Sequence, residues 1–180
     1  VVPGWVGRPC VVKRPHLLDK LKYPVKKQQA WGHDFFKEDR TLDHVKSFYE
    51  SINCLVLTSS SECMPRVVLE AMSMGLPVIS TDVGSLKMLL AKGWLTVVNP
   101  EEEVVSEINT KLELLTNYNF LYHSGEQNRI YVDKFFSSKN LMPLWDTIFT
   151  DLYNNDISRI KNYMTELNNQ FVVLEPCLKD

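Results

Sequence analysis

The sequence has no long apolar run and no leader-like segment. A helix that crosses a membrane needs about 20 consecutive apolar residues, and no stretch of this chain approaches that length. The first residues also lack the basic segment and apolar core of a signal peptide. Internal repeats and low-complexity linkers are absent as well. We therefore predict a cytoplasmic protein.

Cysteine is scarce, and its spacing does not suggest cross-links. The 180-residue chain contains Cys10, Cys54, Cys63 and Cys177. No Cys-x-x-Cys motif occurs and no histidine stands at ligand spacing from a cysteine, so the sequence predicts neither disulfides nor a structural zinc site. Cys63 is interpreted as a small filler, with a reactive thiol as the alternative.

The net charge of the chain is small, but the charged residues are unevenly distributed. The formal net charge is -2, whereas residues 1–30 carry seven basic side chains against one acidic one. Such clustering is typical of a solvated face, and it also suits a phosphate group or an anionic surface. Because the chain is slightly acidic overall and its aromatic residues are not interleaved with the basic cluster, we predict no binding of nucleic acid.

The composition, with 44% apolar and 23% charged residues, is ordinary for one soluble globular domain. Short apolar runs bounded by turn residues alternate with helical patterns, which predicts an α/β fold with a parallel sheet. The candidate strands are Trp5–Gly7, Gln28–Trp31, Asn53–Thr58, Pro77–Thr81 and Trp94–Val98. Their continuous apolarity indicates a Rossmann-like sheet with helices on both faces.

The helical patterns divide the chain further. Candidate helices are His16–Leu21, Thr41–Ser51 with Thr41 as its cap, Pro65–Met74, Ser85–Ala91, Glu101–Thr116, Phe120–Phe135, Asn140–Tyr153 and Ile157–Asn169. We predict one domain over residues 1–170, with a helical carboxyl-terminal extension, and a tail over 171–180. The helices after about residue 137 pack on the sheet or on a neighbour outside this chain, and Trp145 is expected in the core of a late helix.

Two glutamates, Glu62 and Glu70, are separated by seven residues. Glu62 follows the predicted strand Asn53–Thr58, at the sheet edge where ligands of parallel α/β folds bind. Pro65 suits the first turn of a helix, whose free amides attract anions. Glu70 lies about one and a half turns into that helix. Both carboxylates therefore suit a crevice that accepts hydrogen bonds from paired hydroxyls.

The same spacing supports an alternative. Glu70 lies four residues after Arg66, so the two side chains suit a surface ion pair worth about 0.3 to 0.5 kcal/mol. From spacing alone the two interpretations are equally supported.

Two longer runs resemble a known family. The sequences SSECMPRVVLEAM (60–72) and GLPVISTDVG (75–84) are similar to the Glu-x7-Glu signature of retaining glycosyltransferases of family 4, or group 1. The similarity extends over about 25 positions, with the turn residues in register. The resemblance implies the carboxyl-terminal, donor-binding half of a two-lobed GT-B fold. Upstream, residues 48–57 resemble the helix and strand leading into the signature.

The resemblance also implies roles for individual residues. Arg8, after Gly4–Gly7, and Lys13 correspond to the arginine and lysine that hold the diphosphate of a sugar nucleotide, with Arg14 as a rival for Lys13. Glu62 would contact the transferred sugar and Glu70 the ribose. The implied site consists of Arg8, Lys13 and Glu62 as catalytic residues, with Glu62, Cys63, Met64, Pro65, Arg66 and Glu70 binding substrate.

The implied reaction is transfer of a sugar from a nucleotide diphosphate with retained anomeric configuration. Two cations and a helix dipole would stabilise the leaving diphosphate, so neither a metal nor another cofactor is implied. The sequence departs from the family pattern at Cys63, where glycine is usual. It also has a short segment between Lys13 and residue 41, which suggests a trimmed strand-helix unit.

The resemblance covers only half of a two-lobed enzyme. We therefore expect an acceptor-binding amino-terminal lobe, in the same protein or in a separate subunit, as partner, and only weak activity for this domain alone. The alternative is a non-catalytic sugar-nucleotide-binding or scaffolding domain, which the residue at 63 favours. A different GT-B enzyme, such as an epimerase or a phosphorylase, is disfavoured by the signature. Lys20–Lys27 suits a peripheral membrane contact, or simple solvation.

Overall fold

The computed structural model describes residues 1–29, 42–86, 96–97 and 101–154, and beyond them residues 156, 158, 159, 161, 162 and 165. The chain separates into two compact units, Val1–Arg129 and Ile130–Asp180. No helix among the described residues is long and apolar enough to cross a membrane.

The first unit is built on a parallel sheet. Its strands are β1 (Pro3–Gly7), β2 (Lys26–Gln29), β3 (Cys54–Leu57), β4 (Val78–Thr81) and β5 (Thr96–Val97). The order across the sheet is β2-β1-β3-β4-β5, and each neighbouring pair runs parallel. Every residue of β3 and β4 is buried, as expected for strands covered on both faces. The predicted α/β parallel fold is confirmed.

The edge strand β2 differs from its prediction. It begins at Lys26 rather than Gln28, and residues 30 and 31 lie outside the described part of the chain. The sequence Lys-Lys-Gln-Gln carries no apolar signal, because a strand at the edge of a sheet does not need to be buried. Exposed lysines on such a strand also discourage pairing with another chain.

The helices are α1 (Leu42–Glu50), α2 (Arg66–Ser73), α3 (Glu101–Leu114), α4 (Tyr118–Phe136) and α5 (Ser138–Tyr153). These confirm five predicted helices within a few residues at each end. The predicted helix Ser85–Ala91 falls largely outside the described residues. The same holds for Ile157–Asn169 and for Thr41 as a cap.

One predicted helix has a different geometry. Residues Val11–Lys13 and Pro15–Lys20 form two short 3-10 helices, where an α-helix over His16–Leu21 was expected. The amide of Leu17 donates to the carbonyl of Arg14, three residues back, as the 3-10 pattern requires. This tight turn buries Leu17 and Leu18 and links β1 to β2 in little space.

The core of the first unit lies between the sheet and its helices. Trp5, Val56 and Ile79 from the strands pack in one cluster with Ile108 and Leu112 from α3. These apolar side chains are at most 1% exposed, so their burial is the main source of stability for the sheet.

The second unit begins within α4 and includes α5. Trp145 on α5 stacks on Phe149, with ring centroids 5.7 Å apart, yet keeps 48% of its surface exposed. Met142 and Leu152 on the same helix are also exposed. The expectation that Trp145 lies in a helical core is therefore wrong, because the apolar stripe of α5 is uncovered among the described residues.

Candidate functional site

Two loops meet at one edge of the sheet. β1 lies between β2 and β3, so the chain changes direction across the sheet after β2. The loops that follow β1 and β3 leave the carboxyl edge on either side of this switch point, where parallel α/β folds bind ligands. The two loops are joined, since the amide of Ser60 donates to the carbonyl of Val12 at 2.8 Å.

Arg14 fastens the first loop to the end of β3. It is 6% exposed, and its Nε and Nη2 donate to the carbonyls of Thr58 (2.6 Å) and Ser59 (3.1 Å). In return, the Thr58 hydroxyl donates to the carbonyl of Lys13 at 2.8 Å. Burial lowers the pKa of Arg14, and the nearby Glu101 partly opposes this change. Arg14 therefore has a structural role: its buried guanidinium holds the loop after β1 against the end of β3. Lys13 differs, because it pairs with the Glu62 side chain.

The backbone of Arg14 is strained. Its φ of 46° and ψ of 50° place it in the left-handed region, the one such non-glycine residue in the described part of the chain. This conformation costs a residue with a Cβ about 1 to 2 kcal/mol. The hydrogen bonds of the guanidinium offset that cost and fix the direction in which the chain leaves Lys13.

Lys13 and Glu62 form an ion pair across the two loops. The ammonium of Lys13 donates to Oε1 of Glu62, and the hydroxyl of Ser59 donates to the same oxygen at 2.6 Å. The side chains are 23% and 12% exposed, so water screens this pair less than an ordinary surface pair. The structure thus brings together the cation and the carboxylate that the sequence placed 49 residues apart.

The helix α2 begins beside this pair. Pro65 is its N-cap, with an extended backbone, and the first helical residue is Arg66. The sequence predicted Pro65 within the first turn of this helix, but in the structure the proline precedes that turn. The first amides of a helix have no partners within the helix, and its dipole makes this end positive. Cys63 and Met64, just before the helix, are exposed.

Cys63 does not require a glycine-like backbone. Its φ is not positive, because Arg14 alone among the described non-glycine residues has a positive φ. The carbonyl of Cys63 accepts hydrogen bonds from the amide and the hydroxyl of Ser85, both at 2.9 Å. A residue with a side chain therefore fits the backbone conformation at position 63.

Gly84 supports the same loop from the end of β4. Its φ is +57°, and a Cβ at this position would overlap the carbonyl oxygens of Glu62 and Cys63. Here glycine is needed both for the backbone conformation and for the close approach.

Glu70 is bonded to a tyrosine. The hydroxyl of Tyr49 on α1 donates to Oε2 of Glu70 at 2.8 Å. Among the ion pairs of the described residues, none joins Arg66 to Glu70, so the surface-pair interpretation is wrong.

Arg8 is exposed directly after β1, at the same edge as Lys13.

Some site residues escaped prediction from the sequence. The tertiary structure creates the contacts of Ser59, Tyr49 and Gly84, and no local sequence spacing predicts them. The Ser-Ser-Ser run before Glu62 was the one available signal for a hydroxyl near that carboxylate. The described residues contain no group of three or more histidine, cysteine, aspartate or glutamate side chains that could hold a metal ion.

A parallel sheet with a helix end and a cation beside its switch point defines a Rossmann-like class of α/β fold. Residues 6–130 match the family model of glycosyl transferases group 1. The chain belongs to this family, which confirms the resemblance to group 1 glycosyltransferases.

Similar proteins share parts of this chain. N-acetyl-alpha-D-glucosaminyl L-malate synthase of Bacillus anthracis is 27% identical over 124 residues, 66% of this chain and 32% of the relative. The structure of sucrose-phosphate synthase from Thermosynechococcus elongatus gives a TM-score of 0.67 at 17% identity, over 86% of this chain and 46% of that one.

A third similar protein was solved with ligands. The structure of Anabaena HepE in complex with UDP and glucose has a TM-score of 0.59 at 20% identity and covers 83% of this chain and 48% of its own. The chain thus spans about a third of the curated relative and just under half of the sucrose-phosphate synthase and HepE chains. At these identities the solved structures establish the fold.

Proposed function

We propose that this chain is the carboxyl-terminal, donor-binding domain of a retaining glycosyltransferase that uses a nucleotide diphosphate sugar. The observation that carries the proposal is the Lys13–Glu62 pair at the switch point, beside the amino end of α2. A cation, a carboxylate and a helix end in one place suit a ligand that has both phosphate and hydroxyl groups.

The diphosphate is bound by positive groups. Arg8 and Lys13 approach from the loop after β1, and the free amides before and within the first turn of α2 approach from the other side. An ammonium has three donors, so Lys13 keeps two for phosphate oxygens while one remains on Glu62. As the sugar leaves, negative charge grows on the diphosphate, and these fixed groups stabilise it without reorganising. Neither a metal nor another cofactor takes part in this proposal.

The carboxylates recognise hydroxyls. Oε1 of Glu62 is already held by Lys13 and Ser59, so Oε2 is oriented to accept from a hydroxyl of the transferred sugar. Glu70 accepts from the ribose. Met64, Pro65 and Arg66 provide backbone close to the sugar and the diphosphate. HepE supports this assignment to the extent that its structure contains UDP and glucose.

The partner of this domain is an acceptor-binding lobe, in the same protein or as a separate subunit. The limited share of each relative that the chain covers supports this proposal. The exposed apolar stripe of α5, with Trp145 and Phe149, suits packing on that lobe. We assign the reaction to the cytoplasm.

A peripheral membrane contact through Lys20–Lys27 receives less support from the structure. Lys22 pairs with Glu113 at 3.1 Å, and Lys27 pairs with Asp19. Half of the four lysines in this segment are thus partly neutralised, which weakens attraction to an anionic surface.

Equilibrium binding of nucleoside diphosphates and sugar nucleotides tests the proposal. Wild type should bind at least one of them, and Arg8→Ala and Glu70→Ala should bind it more weakly, by about 10-fold or more if a charged hydrogen bond is lost. Arg129→Ala and Glu50→Ala are matched controls, because these exposed side chains lie on α4 and α1. Absence of binding by wild type, or equal losses in variants and controls, would contradict the assignment.

The non-catalytic alternative rests on Cys63. Its exposed side chain stands beside Glu62 where the family usually has glycine, and this increases the distance at which a sugar can sit. Release of nucleoside diphosphate from the bound donor distinguishes the two functions. Slow release by wild type that Cys63→Gly accelerates supports a catalytic site, whereas tight binding with no release by either protein supports a binding domain.

A further inference from the structure

We propose that Tyr49 is a positioning residue that orients Glu70 toward the ribose of the nucleotide. The inference rests on the proposed function, because Glu70 touches ribose only if a nucleotide binds. The Tyr49 hydroxyl donates to Oε2 of Glu70 at 2.8 Å and lies 3.4 Å from the carbonyl oxygen of Val67.

The tyrosine is itself fixed in place. It is 2% exposed, and its ring meets that of Phe48 edge-on at 5.7 Å. Because the ring is buried and the side chain has two torsions, the surrounding packing fixes the position of the hydroxyl oxygen. Burial and the bond to Glu70 raise the pKa of Tyr49, which keeps the hydroxyl in its donating form at neutral pH.

Glu70, in contrast, is an exposed residue on α2. A glutamate that is free to rotate loses side-chain entropy when a ligand fixes it. The bond from Tyr49 fixes the carboxylate before the ligand arrives and occupies Oε2. Oε1 then remains to accept a ribose hydroxyl. Tyr49 thereby increases affinity without touching the nucleotide.

Removing only the hydroxyl tests this role. Tyr49→Phe keeps the buried ring and deletes the donor. We expect the affinity for a nucleoside diphosphate to fall about 2- to 10-fold, the usual effect of having to immobilise one flexible side chain on binding. Tyr131→Phe is the matched control, because the hydroxyl of Tyr131 is buried without a hydrogen-bond partner among the described residues and lies in the second unit.

The experiment is calorimetric titration of UDP, GDP and ADP, followed by the 2′,3′-dideoxy form of the tightest binder. We expect Tyr49→Phe to weaken binding of the ribose form but not of the dideoxy form. In a Glu70→Ala background, which has no side-chain acceptor for the Tyr49 hydroxyl, the same change should have little further effect. A merely structural tyrosine would weaken both ligands alike.

The outcomes separate the two proposals. If wild type binds a nucleotide and Tyr49→Phe binds it equally well, or loses the same factor for the dideoxy form, the positioning role is wrong and the proposed function stands. An undiminished effect in the Glu70→Ala background also overturns the positioning role. If wild type binds none of the three nucleotides, both proposals fall together.

Discussion

Replacement of Gly84 by alanine is expected to destabilise the protein strongly. Gly84 has a φ of +57°, where a residue with a Cβ loses about 1 to 2 kcal/mol. The new methyl group would also overlap the carbonyl oxygens of Glu62 and Cys63. Overpacking of this kind costs typically about 1 to 3 kcal/mol. The two effects together predict a loss of about 2 to 5 kcal/mol in the free energy of unfolding.

Gly75→Ala provides the matched control. Its φ is +72°, but a Cβ there would find its nearest neighbour, the carbonyl oxygen of Gly125, at 3.8 Å, an ordinary contact. This variant should therefore lose only the conformational part, about 1 to 2 kcal/mol. Urea unfolding of both variants, with the slope checked against wild type, measures the difference. If Gly84→Ala is no less stable than Gly75→Ala, the inference that Gly84 packs closely against the carbonyls of Glu62 and Cys63 is wrong.

Three further predictions concern other buried groups. Arg14→Ala should lower the free energy of unfolding by about 2 to 4 kcal/mol, because two charged hydrogen bonds to carbonyls are lost, and a loss below about 1 kcal/mol would contradict the holding role. Tyr131→Phe should leave stability unchanged or raise it by about 1 kcal/mol, since its buried hydroxyl has no hydrogen-bond partner within the described part of the chain, and a clear loss in thermal unfolding would refute this. Burial raises the pKa of the Cys54 thiol to about 12, so mass spectrometry should find the exposed Cys63 alkylated in the native protein and Cys54 only after unfolding.

Much of the fold was predictable because burial leaves a local pattern. The strands β3 and β4 are covered on both faces, which requires the continuous apolar runs that were read from the sequence. The strand β2 was misplaced because an edge strand of lysine and glutamine carries no such pattern. The turn Pro15–Lys20 was read as an α-helix because a short apolar segment does not distinguish 3.0 from 3.6 residues per turn.

The site was predictable in part, for a different reason. Lys13 and Glu62 were identified through family resemblance, and their contact spans 49 positions that no local pattern connects. Two contacts were missed because they depend on the tertiary structure. Arg14 holds the loop after β1 against the end of β3. The hydrogen bond from Tyr49 to Glu70 joins α1 to α2. Spacing alone also suggested a pair between Arg66 and Glu70, but Tyr49 takes that carboxylate instead.

The most direct test of donor binding at the switch point is an NMR titration of the uniformly 15N-labelled 180-residue chain with UDP-glucose, GDP-mannose and ADP-glucose. The method detects even weak binding. The proposal predicts saturable shifts, for at least one ligand, at the amides of residues 60–64, 66 and 67 and at the non-proline amides of the loop after β1. The absence of saturable shifts for all three ligands, or shifts confined to α5, would contradict it.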